Sequence, residues 1–209
     1  MSDSTTRQSL HGIAEYVLAA PQYAVSGTIR LRATEGGFGT VADPVLRIEG
    51  DELVVGAIRR IPLKGHTYRT LAGEAGLLAA DLRGVYSDAP AVGIDDEINL
   101  DSGEALQIAA AFGSAVAALA ALDPTATPVL WPEHFDISAT LDEVNYGVSA
   151  GDGYIDRPYA YVGPHRLRRG DFWNAPFGAA VALGDVPSAD EVAAFFAAGR
   201  AAAAADPVA

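Results

Sequence analysis

Residues 128–141 read Pro128-Val129-Leu130-Trp131-Pro132-Glu133-His134-Phe135-Asp136-Ile137-Ser138-Ala139-Thr140-Leu141, and their alternation decides the fold class. Successive side chains of a strand point to opposite faces. Phe135, Ile137, Ala139 and Leu141 therefore share an apolar face, and His134, Asp136, Ser138 and Thr140 a wet one. A strand with one wet face fits an antiparallel sheet. Downstream, Tyr159, Tyr161 and Val162 read as the returning strand. The glycine-rich stretch between, Asp142 to Pro158, reads as a long loop, a length more often functional or mobile than structural.

Helices flank this β region. Asp101-Ser102-Gly103-Glu104 has the form of a capping box, with an acceptor at the N-cap and a Glu at N3 to satisfy donors left free at a helix start. The helix it opens runs to Leu122 before Asp123-Pro124. Leu106, Ile108, Phe112, Val116 and Leu119 cover more than one of its faces, which marks a central helix. A second capping box, Ser188-Ala189-Asp190-Glu191, opens an Ala-rich terminal helix with Val192, Phe195 and Phe196 on its apolar stripe. At the other end, Leu10, Ile13, Val17 and Leu18 predict a helix over Thr5 to Ala20, ended by Pro21. Alternation from Tyr23 to Leu31 predicts a strand, Gly36 to Gly39 a turn, Leu46 to Val55 a hairpin about Gly50, and Thr70 to Ala80 a short helix. The expectation is an α+β protein: mainly antiparallel sheet packed on a central helix and two terminal helices. It forms a single domain, 1–209, in which 1–100 and 124–209 are loose lobes around helix 101–122.

Composition narrows the chemistry. The chain has 209 residues and a net charge of −13, half of its residues are hydrophobic, and it contains no cysteine. Such a charge repels phosphate backbones and anionic headgroups, so neither nucleic acid nor a membrane is an expected partner. The basic cluster Arg166, Arg168 and Arg169 is small against it. Without cysteine there is no disulfide and no thiolate metal site. The first residues lack a basic segment followed by an apolar one, and the run Ile108 to Leu122 is shorter than the ~18 to 20 residues a bilayer requires. The expected compartment is the cytoplasm. Nothing in the sequence specifies a cofactor or an oligomeric state.

The candidate catalytic pair is His134 and Asp136. Two residues apart on one strand face, their Cα atoms would lie roughly 6 to 7 Å apart. The carboxylate could orient the imidazole as a general base, or both could ligate a metal. The alternative is structural, with His134 bonding a nearby carbonyl or tyrosine and Asp136 capping a turn. A metal needs three or more ligands, and the histidines are His11, His66, His134 and His165, so any metal site would mix imidazole with oxygen ligands. Asn145, Ser149 and Asp152 supply the loop's polar groups, and Tyr161 and Trp173 the aromatic walls. His11 either pairs with Glu15 four residues on or docks against the His134 face.

Other motifs are weaker. Gly147-Val148-Ser149-Ala150-Gly151 matches the G-x-S-x-G form of a nucleophile elbow, which needs a strand and a helix to pin the serine. Gly153, Asp156 and Pro158 cannot open that helix, so a serine hydrolase using Ser149 is a lesser alternative. Asp95 to Asp101 alternate as in a calcium loop, yet Leu100 and Leu106 stand where an EF-hand needs Gly and a carboxylate. Gly36 to Gly39 lacks phosphate-loop spacing, and Lys64, the only lysine, is outside any such context.

Taken together, Leu10-His11, Gly36-Gly37-Phe38-Gly39-Thr40, Trp131-Pro132-Glu133-His134-Phe135-Asp136, Asn145-Tyr146-Gly147-Val148-Ser149-Ala150-Gly151-Asp152, Pro158-Tyr159-Ala160-Tyr161-Val162-Gly163-Pro164 and Phe172-Trp173-Asn174-Ala175 resemble the motifs of a family of uncharacterised proteins from high-GC bacteria. The order W-P-x-H-F-D, N-x-G-x-S-x-G-D and P-Y-x-Y is also similar to that of a bacterial domain of unknown function. The resemblance covers most of the chain. It implies that these residues form one site or one structural joint, and it implies no particular reaction. The leading expectation is a small-molecule site centred on His134 and Asp136. The competing one is a non-catalytic interaction or scaffold protein in which the same motifs are a folding joint.

Overall fold

The computed structural model describes residues 5–208. The fold is α+β, and every strand pairing is antiparallel. The chain divides into two compact units, one of residues up to Ala109 with Leu130–Phe135, the other of Ala110–Val129 with Asp136–Ala209. The division therefore falls within helix α4 (Ser102–Leu122), not on either side of it as the two expected lobes did.

In the first unit α1 (Thr5–Gly12), a π-helical segment (Ile13–Ala19) and α2 (Ala20–Ser26) follow one another without a break. The helix passes the position where Pro21 was expected to end it. Pro21 sits in the first turn of α2, where a residue without an N–H loses no intrahelical bond. Gly27, in the left-handed conformation at φ 72°, ends the helix instead. Residues 23–26 are thus helical, and the first strand is the short β1 (Leu31–Thr34).

Strands β2 (Gly37–Thr40), β3 (Leu46–Glu49), β4 (Glu52–Val55) and β5 (Arg59–Pro62) continue as a meander. On the other side of β1 lies β6 (Val129–Trp131), through the Leu31–Leu130 pairing. Residues 37–39, expected as a turn, are strand. The π segment is buried throughout and packs on β1, β2 and α3 (Tyr68–Glu74), with Ile13, Val17, Leu31, Phe38 and Leu71 in the core. Buried Gln22 uses its whole amide, giving protons to the Thr28 and Arg30 carbonyls and accepting from Val41 and Ala42 N–H.

Between α3 and α4 the chain runs from Leu77 to Asp101 as a strap without helix or extended strand. Buried backbone needs hydrogen-bond partners, and the N-terminal helix supplies them. Thr6 Oγ1 accepts from Asp101 N, Ser9 Oγ from Asn99 N and Glu15 Oε1 from Leu82 N, while Tyr16 donates to the Val92 carbonyl. This accounts for Thr6, Ser9 and Glu15 being buried polar residues.

In the second unit β7 (Asp136–Leu141), β8 (Val144–Ser149), β9 (Tyr159–Pro164) and β10 (Ala179–Ala182) pair in sequence. β8 occupies the stretch expected as loop. α5 (Ala189–Ala205), capped by Ser188, lies on β8 and β9, where Val192 and Phe196 are buried and Phe196 meets Tyr146 edge to face at 5.7 Å. α4 starts as its cap predicts, Asp101 Oδ1 accepting from Glu104 N. At 21 residues it is longer than the apolar run suggested and, by length and composition alone, could cross a bilayer. Its buried residues, Ala105, Ile108, Ala111, Phe112, Ala115, Ala118 and Leu119, form the one-sided stripe of a core helix.

Candidate functional site

The expected pairing of His134 with Asp136 on one strand face is not what forms. Phe135 has φ 49°, in a turn that precedes β7, so the alternation begins at Asp136 and leaves His134 outside it. The turn takes this shape because Phe135 is buried. Its ring stacks on His11 at 5.6 Å with the planes 8° apart and meets Phe38 edge to face at 5.3 Å.

His11 Nε2 lies 2.7 Å from the Pro132 carbonyl, which sets the neutral ring with its proton on Nε2 as donor. Burial lowers the His11 pKa to about 4, helped by His134 and Arg7 and opposed by the Pro132 bond and Asp88. His11 therefore does not pair with Glu15. That carboxylate is buried on the strap side, accepts from Leu82 N and Tyr86 OH, and has its pKa raised by burial. His134 itself is exposed: Nδ1 lies 3.3 Å from Asp88 of the strap and Nε2 3.4 Å from Glu133. Among the described residues no three His, Asp or Glu side chains converge as a metal site.

The second unit gathers most of the other predicted residues on the polar face of its sheet, which is buried at Asp136, Ser138, Ser149 and Tyr159 and opens to solvent only toward Thr140, so it is not the wet face expected. The register sets Asp136, Ser149 and Tyr159 in one row, Ser138, Gly147 and Tyr161 in the next, and Thr140, Asn145 and Gly163 in a third. Tyr161 donates to Asp136 Oδ2, with Ser138 beside it. One row over, Tyr159 donates to Asp152 Oδ2 at 2.6 Å, with Ser149 beside it. The same tyrosine-to-aspartate hydrogen bond, with a serine close by, thus occurs twice, side by side. Burial first and the carboxylate second push both phenols above the usual tyrosine range, so both stay protonated donors.

Gly147 makes the Tyr161 bond possible. A Cβ there would stand 2.5 Å from Cζ of Tyr161 and 2.6 Å from its hydroxyl, so only glycine lets that ring lie across β8 toward Asp136. Phe177 covers the layer, with ring centroids 6.4 Å from Tyr161, 6.5 Å from Tyr159 and 5.3 Å from the exposed Tyr154. At the open third row Asn145 Oδ1 accepts from Thr140 at 2.7 Å and lies 3.3 Å from His165 Nε2.

Not every predicted residue takes the place expected of it. Asp152 takes three donors, Tyr159 OH and the N–H groups of Tyr154 and Ile155, and so shapes the turn after β8. Ser149 ends a strand that no helix follows, and its hydroxyl accepts from Gly151 N, so the nucleophile elbow does not form. Trp173 donates to Asp206 Oδ2 at 2.9 Å and packs on Phe172, which ties it to the end of α5 instead of making it a wall of the layer. Ser138, Gly147, Tyr159, His165 and Phe177 belong to the layer without having been singled out as site residues. Only the pairing of N-Y-G with Y-x-Y hinted at them, since a glycine opposite a tyrosine signals a ring crossing the neighbouring strand.

Set beside protein-family models, characterised proteins and solved structures, the chain matches none.

Proposed function

We propose that the polar face of the β7–β8–β9 sheet binds a small molecule, with Tyr161 and Asp136 as the polar floor, Tyr154 and Phe177 as aromatic cover, and Asn145 and His165 at the open rim. The observation that carries this reading is the space reserved by Gly147. A sheet needs no glycine in mid-strand for its own stability, and one usually marks a close approach; here it aims a tyrosine at a buried carboxylate. A mostly aromatic surface with a few fixed polar groups is the usual make-up of a small-molecule site. Two tyrosines held protonated support binding over proton transfer. The alternative, a structural joint, is favoured at one place, the saturated carboxylate of Asp152.

The test is a thermal-shift screen of a mixed small-molecule library against the wild type and Asn145→Ala, a rim change that leaves the floor intact. Hits on the wild type that vanish in the variant support the site. A library without hits, or hits indifferent to the variant, would return the layer to a structural role.

A further inference from the structure

Resting on that reading, we propose that the ligand is a neutral polyhydroxylated ring, a carbohydrate in chemical class. Three features of the same face point there. The first is charge. Asp136 accepts from the Tyr161 hydroxyl, Asp152 accepts from three donors, and exposed Asp142, just past β7, holds the Arg200 guanidinium at 3.1 Å, so the carboxylates here are already engaged. The rim groups Thr140 and Asn145 are uncharged, and each carries donor and acceptor capacity together, as a sugar hydroxyl does. Asn145 spends its carbonyl oxygen on Thr140 and His165, which leaves its NH2 donors for a hydroxyl oxygen.

The second feature is shape. Gly147 and Gly163 occupy neighbouring rows of the polar face, and at Gly163 an added Cβ would come no nearer than 3.6 Å to the Phe177 carbonyl and 3.9 Å to Asn145. No side chain therefore rises between Asn145 and Tyr161 at that position. A pyranose presents a flat C–H face to an aromatic ring and a hydroxyl edge to the polar groups beside it, and Tyr161, Phe177 and Tyr154 with Asn145 and His165 offer that combination. The third is rigidity. The paired tyrosine-to-aspartate hydrogen bonds hold both phenols, so ordering this part of the platform adds little cost on binding.

Saturation-transfer difference NMR on the intact protein tests the assignment. Glucose, galactose, mannose and N-acetylglucosamine form one panel, and glucuronate, inorganic phosphate and tetramethylammonium the other. At least one neutral sugar is expected to show transfer at millimolar concentration, reduced fivefold or more in Asn145→Ala. Tyr154→Ala, which removes an exposed ring without opening the core, should reduce it as well, and matching circular dichroism of each variant shows that it folds. Transfer to charged probes alone, lost in Asn145→Ala, would overturn the carbohydrate assignment while leaving the binding site standing. Transfer to no probe, or transfer indifferent to both variants, would overturn the two together.

Discussion

The turn at residues 132–135 and the sheet face that starts at Asp136 are consecutive in sequence and treat their polar groups in opposite ways. In the turn, His134 is exposed and its two carboxylate neighbours stand at 3.3 and 3.4 Å. In the sheet, Asp136, Ser138 and Ser149 are buried, and Tyr161 and Tyr159 donate to Asp136 and Asp152. The difference teaches that a contiguous motif need not be a single site. What separates the two regions is desolvation: a buried polar group must have a partner with good geometry, whereas an exposed one can do without.

The largest expected effect lies in the sheet. Gly147→Ala both crowds the Tyr161 ring and pulls its hydroxyl off Asp136, and should cost about 4 kcal/mol in denaturant unfolding, combining overpacking with a lost bond to a charged group. A loss below about 1 kcal/mol would mean that the ring has room to move.

Next comes a pH effect on the turn side. The His11 pKa is lowered from 6.5 to about 4, so between those values the unfolded chain takes up a proton that the folded one refuses. Its contribution is complete above pH 6.5 and is lost as pH falls toward 4, on the order of 3 kcal/mol in all. His11→Gln, which keeps a donor for Pro132, should flatten this slope relative to wild type. Comparing the two also cancels Glu15, whose raised pKa makes its contribution fade as pH rises. Equal slopes would remove His11 as the cause.

Tyr161→Phe should then cost about 2 kcal/mol, as a carboxylate loses a buried donor. It should also lower affinity for any ligand of the face, by a factor read from the same titrations. The smallest effect belongs to His134→Ala, expected within about 0.5 kcal/mol because an exposed pair at such distances contributes little. A loss of several kcal/mol would make the turn a structural joint after all.

The elements easiest to read in the sequence were those with a local chemical signature. Asp101 and Ser188 announce their helices by capping, and residues 136–141 form the strand expected, although Asp136 and Ser138, expected on a wet face, are buried along with Ile137. β8 was hidden because Asn145, Gly147 and Ser149 are turn-forming types, and only Tyr161 on the next strand explains the glycine. His134 was misplaced for the converse reason. Its neighbour Phe135 is apolar as the alternation requires, but what buries it is stacking with His11 and Phe38, distant in sequence and invisible to a period-two pattern. Pro21 misled in the same manner, since its tolerance depends on the π-to-α handover.

The interleaved membership of the two units bears on how the chain is made. The first unit contains Leu130–Phe135, and with them both the β6 partner of Leu31 and the ring that stacks on His11. A ribosome adding ~5 to 20 residues per second has therefore synthesised all of β1 to β5 several seconds before it delivers the strand that pairs with β1. Throughout that interval the β1 edge is open and the His11 and Phe38 rings lack their partner. The nascent N-terminal segment must wait for the second unit to begin emerging, and a message truncated before Pro128 would yield a sheet missing its sixth strand.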